Sequence, residues 1–270
     1  HGTRLRVRTV LGGTKKQINR QNVQGNLEIL VATPGRLIQL LDSRELRVDD
    51  LRILVVDETD QMLDAGFLPL ARRILKDCPR TVQLALFSAT LPQSLDSIVT
   101  DLCPEPPLRV RTKGSQLLVA TLRTDNRTVP HGRRFDILGD ILEEGRGQGT
   151  LMFANTRAQC EALGEWMEEQ GISWAAYTGE MDRLERRANL ARFRSGEVAV
   201  LLSTDLGGRG LDIDRVDRVV NAHLPHDLDN YLHRCGRTAR AGREGVVINL
   251  VTERDKPLLA RLAKRQEKRG

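Results

Sequence analysis

The sequence predicts an α/β protein of two doubly wound units, each a mostly parallel sheet flanked by helices. Three observations point there. Short apolar runs recur along the chain and are nearly continuous rather than alternating, as expected of parallel strands covered on both faces. Stretches with helical spacing of apolar residues lie between these runs, so strand and helix alternate. A stretch without helical period, residues 112–132, divides the series, and 270 residues suffice for two domains of ordinary size.

In the first half, Ile29–Ala32, Ile53–Val56 and Leu84–Phe87 read as strands, and Phe67–Cys78 and Leu91–Leu102 as helices. The dividing stretch, TKGSQLLVATLRTDNRTVPHG, is rich in Thr and ends in Pro130 and Gly132, so it reads as linker and lead-in. In the second half, Leu151–Ala154, Trp174–Tyr177, Val198–Leu202, Val219–Ala222 and Val246–Val251 read as strands, with Arg157–Gln170 and Arg183–Arg194 as helices. The closing LLARLAKRQEKRG reads as a basic, solvated helix that frays at its end. The expected boundaries are 1–112 for the first unit, 113–132 for the linker, 133–252 for the second unit and 253–270 for the terminal helix or tail.

Composition narrows the function. No apolar run approaches the ~18 residues needed to cross a bilayer, so no membrane partner is expected. HGTRLRVRTV is basic but has no apolar core, so it is not a signal peptide; with no initiator Met, the expectation is that upstream sequence is missing. Cys78, Cys103, Cys160 and Cys235 form no CxxC pair, which disfavours a zinc site or disulfide framework, suits a reducing cytosol and reads as four small buried hydrophobes. A net charge of +6, spread over both halves, suits a polyanion. Aromatic residues make up only 3%, which argues against a base-stacking platform and leaves the phosphate backbone as the thing to grip.

Chemistry gathers where strands end, the usual ligand side of an open parallel sheet. Ile53–Val56 runs straight into Asp57, Glu58 and Asp60. Carboxylates so close would raise one another's pKa, and a divalent cation relieves that cost. Mg²⁺ takes one or two carboxylates, waters and substrate phosphates, which leaves a neighbouring carboxylate to orient an attacking water. A charged turn into a helix that begins near Asp60 accounts equally well for these three acids alone. Thr33-Pro34-Gly35-Arg36, Ser88-Ala89-Thr90 and STDLGGRGLD (203–212) follow other strands with hydroxyls, glycines and Arg, the groups that approach anions closely. In HRCGRTARAG (233–242), Arg237 and Arg240 are three apart, which on a helical turn gives both guanidiniums one face suited to a transferring phosphoryl group.

TPGRL, DETD, SAT, STDLGGRGLDI and HRCGRTARAG, in this order, resemble motifs Ib, II, III, V and VI of the DEAD-box RNA helicases of superfamily 2. Leu11–Gly13 is similar to that family's GG motif, LMFANT (151–156) to motif IV, and Arg183–Arg186 to its QxxR element. The resemblance implies two RecA-like domains, the first incomplete here, that hold ATP, Mg²⁺ and RNA. It implies that Asp57 holds Mg²⁺ through water and that Glu58 activates the attacking water. Asp60, Ser88 and Thr90 would link that site to domain closure, with His233 coupling the domains. Gly210 and Asp212 would meet the nucleotide, Asp212 at the ribose, and Arg237 and Arg240 would be arginine fingers. Gly13, Thr33, Pro34, Gly35, Arg36, Arg186, Thr204 and Arg234 would contact RNA along its backbone, without reading sequence and with the 2′-OH favouring RNA.

The chain departs from the family pattern. Thr59 replaces Ala in motif II, Arg183 stands where Gln is usual, Ala239 replaces a Gly and Thr178 takes a place where His is common. No GxxxxGK[ST] occurs, nor any Gly-Lys dipeptide, so the loop and Lys that cradle phosphates are not in this sequence. The expectation is an ATP-dependent RNA helicase, monomeric, cytoplasmic and, being compact, of bacterial source, whose chain as given turns over little ATP. A non-catalytic RNA clamp is the alternative. A phosphohydrolase built on Asp57, Glu58 and Asp60 would leave the Arg pair and the second unit unexplained.

Overall fold

A computed structural model describes residues 4–59, 67–88, 93–103, 105–110, 122–145, 149–205, 213, 215–238 and 245–267. The chain divides into two units, His1–Gln116 and Leu117–Gly270. The second begins within the stretch read as linker.

The described part of unit 1 holds two strand pairs, each parallel. β1 (Val7–Val10) pairs with β2 (Ile29–Ala32), and β3 (Ile53–Val56) with β4 (Gln83–Leu86). α1 (Lys16–Asn22) and α2 (Pro34–Asp42) follow β1 and β2, and α3 (Phe67–Asp77) and α4 (Gln93–Leu102) follow β3 and β4. α2 starts at Pro34, whose fixed φ and missing N–H suit a first helical position. Each pair buries one face: Val10, Val23, Leu30 and Leu40 form one small core, and Val56, Ala71, Leu84 and Leu102 another. Arg73 of α3 ties the two pairs together, reaching Asp42 at the end of α2 at 2.6 Å.

The other strand face of unit 1 departs from expectation. Val7, Ile29, Val31, Ile53, Val55 and Phe87 are between 42% and 58% exposed. Covering on both faces, inferred from the near-continuous apolar runs, therefore holds for one face only among the described residues of unit 1.

Unit 2 is doubly wound. Among its described residues, six parallel strands lie in the order β5 (Leu122–Thr128), β10 (Gly245–Val251), β9 (Arg218–Asn221), β6 (Thr150–Phe153), β8 (Val200–Ser203), β7 (Trp174–Tyr177). Alternate residues feed alternate faces. Met152, Val200, Leu202, Val220 and Ile248 meet α5 (Arg134–Glu144) and α6 (Arg157–Glu169) through Leu138, Ile141, Leu163 and Met167. Leu151, Phe153, Leu201, Val219 and Val247 meet α7 (Arg183–Ser195), α8 (Leu228–Cys235) and α9 (Lys256–Glu267) through Phe193, Tyr231, Leu258 and Leu262.

Two expectations are corrected here. β5, LRTDNRT, lies inside the stretch read as linker; among the described residues it is an edge strand bonded to β10, and it carries no apolar run that periodicity could detect. The terminal helix is not simply solvated, because Leu258 and Leu262 are 6% and 8% exposed and belong to the core.

Candidate functional site

In unit 1 the motif residues sit past the C-terminal ends of the strands. After β1, Gly13 adopts φ +73°, a conformation open to glycine, and the Gly12 N–H donates to Thr33 Oγ1 at 3.0 Å. Thr33 itself follows β2, and its N–H returns to the Val10 carbonyl at 2.9 Å. These bonds bring Gly13 together with Thr33, Pro34, Gly35 and Arg36 at the start of α2. A Cβ built on Gly35 would meet nothing within 4 Å, so this helix start is open to an approaching group. Sequence reasoning missed Asn19, which is 1% exposed and clamps the loop: its Nδ2 donates to the Leu11 carbonyl at 3.1 Å and its Oδ1 accepts from the Leu11 N–H at 3.3 Å.

β3 ends in the acidic turn. Asp57 is exposed, and its carboxylate accepts the Glu58 N–H at 2.8 Å. Glu58 has φ +53°, the left-handed region, which costs a non-glycine residue roughly 1–2 kcal/mol. Thr59 is fully buried. Its N–H and its hydroxyl both donate to the Phe87 carbonyl beyond β4, at 2.9 and 2.8 Å. The turn is therefore bolted to the residue before Ser88. An exposed carboxylate with a second one beside it suits a cation held through water and phosphate, and among the described residues no group of three or more metal-binding side chains forms a protein-only cage. Asp60 and Thr90 lie outside the described residues.

In unit 2 a cavity of about 330 Å³ opens at the ends of β6, β7 and β8, lined by Asn155, Arg157, Thr178, Gly179, Glu180, Thr204 and Asp205. Thr204 is thus placed with residues that were not singled out as contacts, Thr178 and Gly179 among them. Arg157 is 72% exposed and pairs with Glu161 and Glu180 at 2.7 and 3.2 Å, a hold that an incoming phosphate can replace. Thr156 shapes the rim by capping α6 in a box with Gln159. Arg186 is half-buried in the first turns of α7, whose N-terminus Asp182 caps through Leu184 and Glu185; Arg186 does not line the cavity.

Arg234 is the main correction. Expected at RNA, it is 1% exposed. Its Nε and Nη2 donate to the Asp205 carboxylate at 2.5 and 2.8 Å, and further bonds run to Asn155 Oδ1, Asn221 Oδ1 and the His223 carbonyl. Its Cζ lies 5.0 Å from the Phe153 ring centroid. The guanidinium is spent inside the protein, fixing two residues of the cavity lining. Behind it, a buried ladder crosses the sheet: Asn221 donates to Asn249, which donates to Asn126 and Tyr231. The sequence held a signal for this burial, since Tyr231, Arg234 and Cys235 share a helix face and the apolar members of that face had to point inward.

His233 lies in the last turn of α8, whose helix stops at Cys235. Arg237 follows in a turn, its Nε donating to the His233 carbonyl at 3.0 Å. Gly210, Asp212 and Arg240 lie outside the described residues.

Burial shifts the titration of a histidine and two thiols. Desolvation, aided by Arg134 and Arg234, lowers His223 to about 4, so it is neutral at physiological pH. Desolvation raises Cys160 to about 11 and Cys235 to about 12, which fits inert thiols. Cys78 and Cys103 are only half-buried, short of the burial expected of all four.

Both halves of the chain match known protein families. The family model described as DEAD/DEAH box helicase matches residues 1–98, and the helicase conserved C-terminal domain matches 133–242. Eukaryotic initiation factor 4A of Cryptosporidium parvum is 35% identical over 93% of this chain, which spans 62% of that protein. The ATP-dependent RNA helicase eIF4A of Candida albicans is 32% identical over 97% of this chain, which spans 66% of it. The structure of S. cerevisiae Dbp5 bound to RNA and ADP BeF3 superposes with a TM-score of 0.83 at 27% identity, over 97% of this chain and 68% of that one. These relatives are eukaryotic and lend no support to a bacterial source. Among the described residues no helix is long and apolar enough to cross a membrane. The fold is that of two-domain, RecA-like proteins, and the chain belongs to the DEAD-box helicases of superfamily 2.

Proposed function

We propose that this chain serves an ATP-dependent RNA helicase, cytoplasmic and monomeric, that separates short RNA duplexes or remodels RNA–protein complexes. The observation that carries the reading is the common placement of the motif residues. Gly13, Thr33, Asp57 and Ser88 follow the four described strands of unit 1, and Asn155, Thr178 and Thr204 follow three strands of unit 2. That is the side of a parallel sheet where phosphates are taken. In this reading the Gly13 loop and the start of α2 hold RNA phosphate and ribose in unit 1, while the cavity of unit 2, with Arg186 nearby in sequence, holds the next part of the strand. Asp57 would hold Mg²⁺ through water, a cation that neutralises phosphate charge when bound. Glu58 orients the attacking water, and Ser88, Asp60, Thr90 and His233 link hydrolysis to closure. Gly210 and Asp212 hold the nucleotide, and Arg237 and Arg240 stabilise charge on the transferring phosphoryl group.

The sequence has no phosphate-cradling loop, so this chain by itself should hydrolyse ATP barely, even with saturating RNA. The alternative reading is a clamp that binds RNA without turnover. Fluorescence anisotropy with labelled RNA, joined to a phosphate-release assay, tests both. Binding should tolerate any sequence, favour RNA over DNA and weaken by about 0.7 logarithmic units per phosphate contacted for each tenfold rise in salt. A flat salt response would contradict both readings, and robust turnover would contradict the inactivity of this chain.

A further inference from the structure

We infer that Thr59, where motif II of the family has Ala, is a positioning residue that makes the acidic turn and the start of motif III one rigid piece. The inference rests on the reading of Glu58 and Ser88 given above. Thr59 is fully buried, yet its hydroxyl is not a packing accident: it donates to the Phe87 carbonyl at 2.8 Å, beside the Thr59 N–H at 2.9 Å. The next carbonyl in reach, that of Val56, is farther at 3.3 Å and already accepts the Phe87 N–H at 2.8 Å. Both lone pairs of the Phe87 oxygen are thereby occupied.

Two consequences follow from covalent geometry. The Phe87 carbonyl and the Ser88 N–H share one peptide plane, so fixing the oxygen fixes the direction in which Ser88 leaves the strand. On the other side, Thr59 follows directly on Glu58, whose left-handed backbone persists only where its neighbours hold it. The Asp57 carboxylate holds that turn from before, at the Glu58 N–H, and the Thr59 hydroxyl holds it from behind. An Ala would keep the backbone bond and lose the second one. This chain therefore ties Glu58 to Ser88 through a link that the DEAD sequence lacks, and the two groups reorient together rather than separately.

The test uses the full chain, isotopically labelled, with T59S, T59V and T59A. The hydroxyl role requires that Ser preserve, and Val remove, the Phe87 carbonyl ¹³C shift and the Ser88 amide position. It also requires about threefold to tenfold faster exchange of the backbone amide at position 59 in T59V and T59A than in the wild type or T59S. A space-filling role gives the reverse order, with Val native-like and Ser perturbed, and would overturn the inference, as would unchanged exchange in T59V. Titration of the wild-type chain with Mn²⁺ reports separately on the functional reading: broadening at Asp57 and Glu58 supports it, and its absence counts against the metal role while the three variants still decide the role of Thr59.

Discussion

Arg234 of α8 grips both carboxylate oxygens of Asp205, at 2.5 and 2.8 Å, while 1% exposed itself. Asp205 lines the cavity at the ends of β6 to β8, so the pair neutralises an acid that would otherwise repel a phosphate there. Removing one partner of a buried ion pair leaves the other uncompensated. R234Q should therefore destabilise unit 2 by about 3 kcal/mol in urea unfolding, and R234K should recover only part of that, because Lys has no planar fork. Were Arg234 an exposed RNA contact, R234Q would leave the unfolding midpoint unchanged.

Gly164 of α6 lies against the indole of Trp174 in β7, and a Cβ there would come within 2.6 Å of the ring. The ring is partly buried and packed against the core, so G164A should cost about 1–3 kcal/mol through overpacking and shift Trp emission. Unaltered stability and emission would show that the ring moves freely.

His223 gives unit 2 a pH dependence. Its folded pKa, about 4, lies below the ordinary value of 6.5, so between those values the unfolded chain binds more protons. The contribution is whole above pH 6.5 and is lost as pH falls toward 4, on the order of 2 kcal/mol after allowance for its partial exposure. Urea midpoints of the wild type and H223Q, compared at pH 7.5 and 5, check this; the difference between the two proteins should shrink at the lower pH.

The buried thiols should resist modification. Cys160 and Cys235, raised by desolvation to about 11 and 12, should react with a disulfide reagent at pH 8 only as fast as unit 2 opens. Cys78 and Cys103, half-buried, should react first.

The legible part of this protein is where hydrophobicity and chemistry agree. β3, β6 and β7 were readable because apolar runs end in turn residues, and the motif residues fall past those ends. β5 was not, since an edge strand with Asp125, Asn126 and Arg127 satisfies its backbone through β10 without an apolar pattern. β1 was equally hidden, because it brings only VRTV, with Arg8 and Thr9 exposed. In the site, Thr33 and Gly35 were legible as strand-end groups. Asn19 was not, because its role is a contact eight residues away with Leu11. Arg234 misled because its RNA role came from the family resemblance, while the helix face it shares with the buried Tyr231 and Cys235 pointed inward.

The central claim is that RNA runs over the strand ends of both units, and amide shift mapping with a short oligouridylate tests it most directly. The account expects perturbation at Gly13, Thr33, Gly35 and Arg36 in the first unit and at Thr178, Gly179 and Thr204 in the second. Shifts confined to other surfaces, with these seven amides unmoved at saturation, would contradict it.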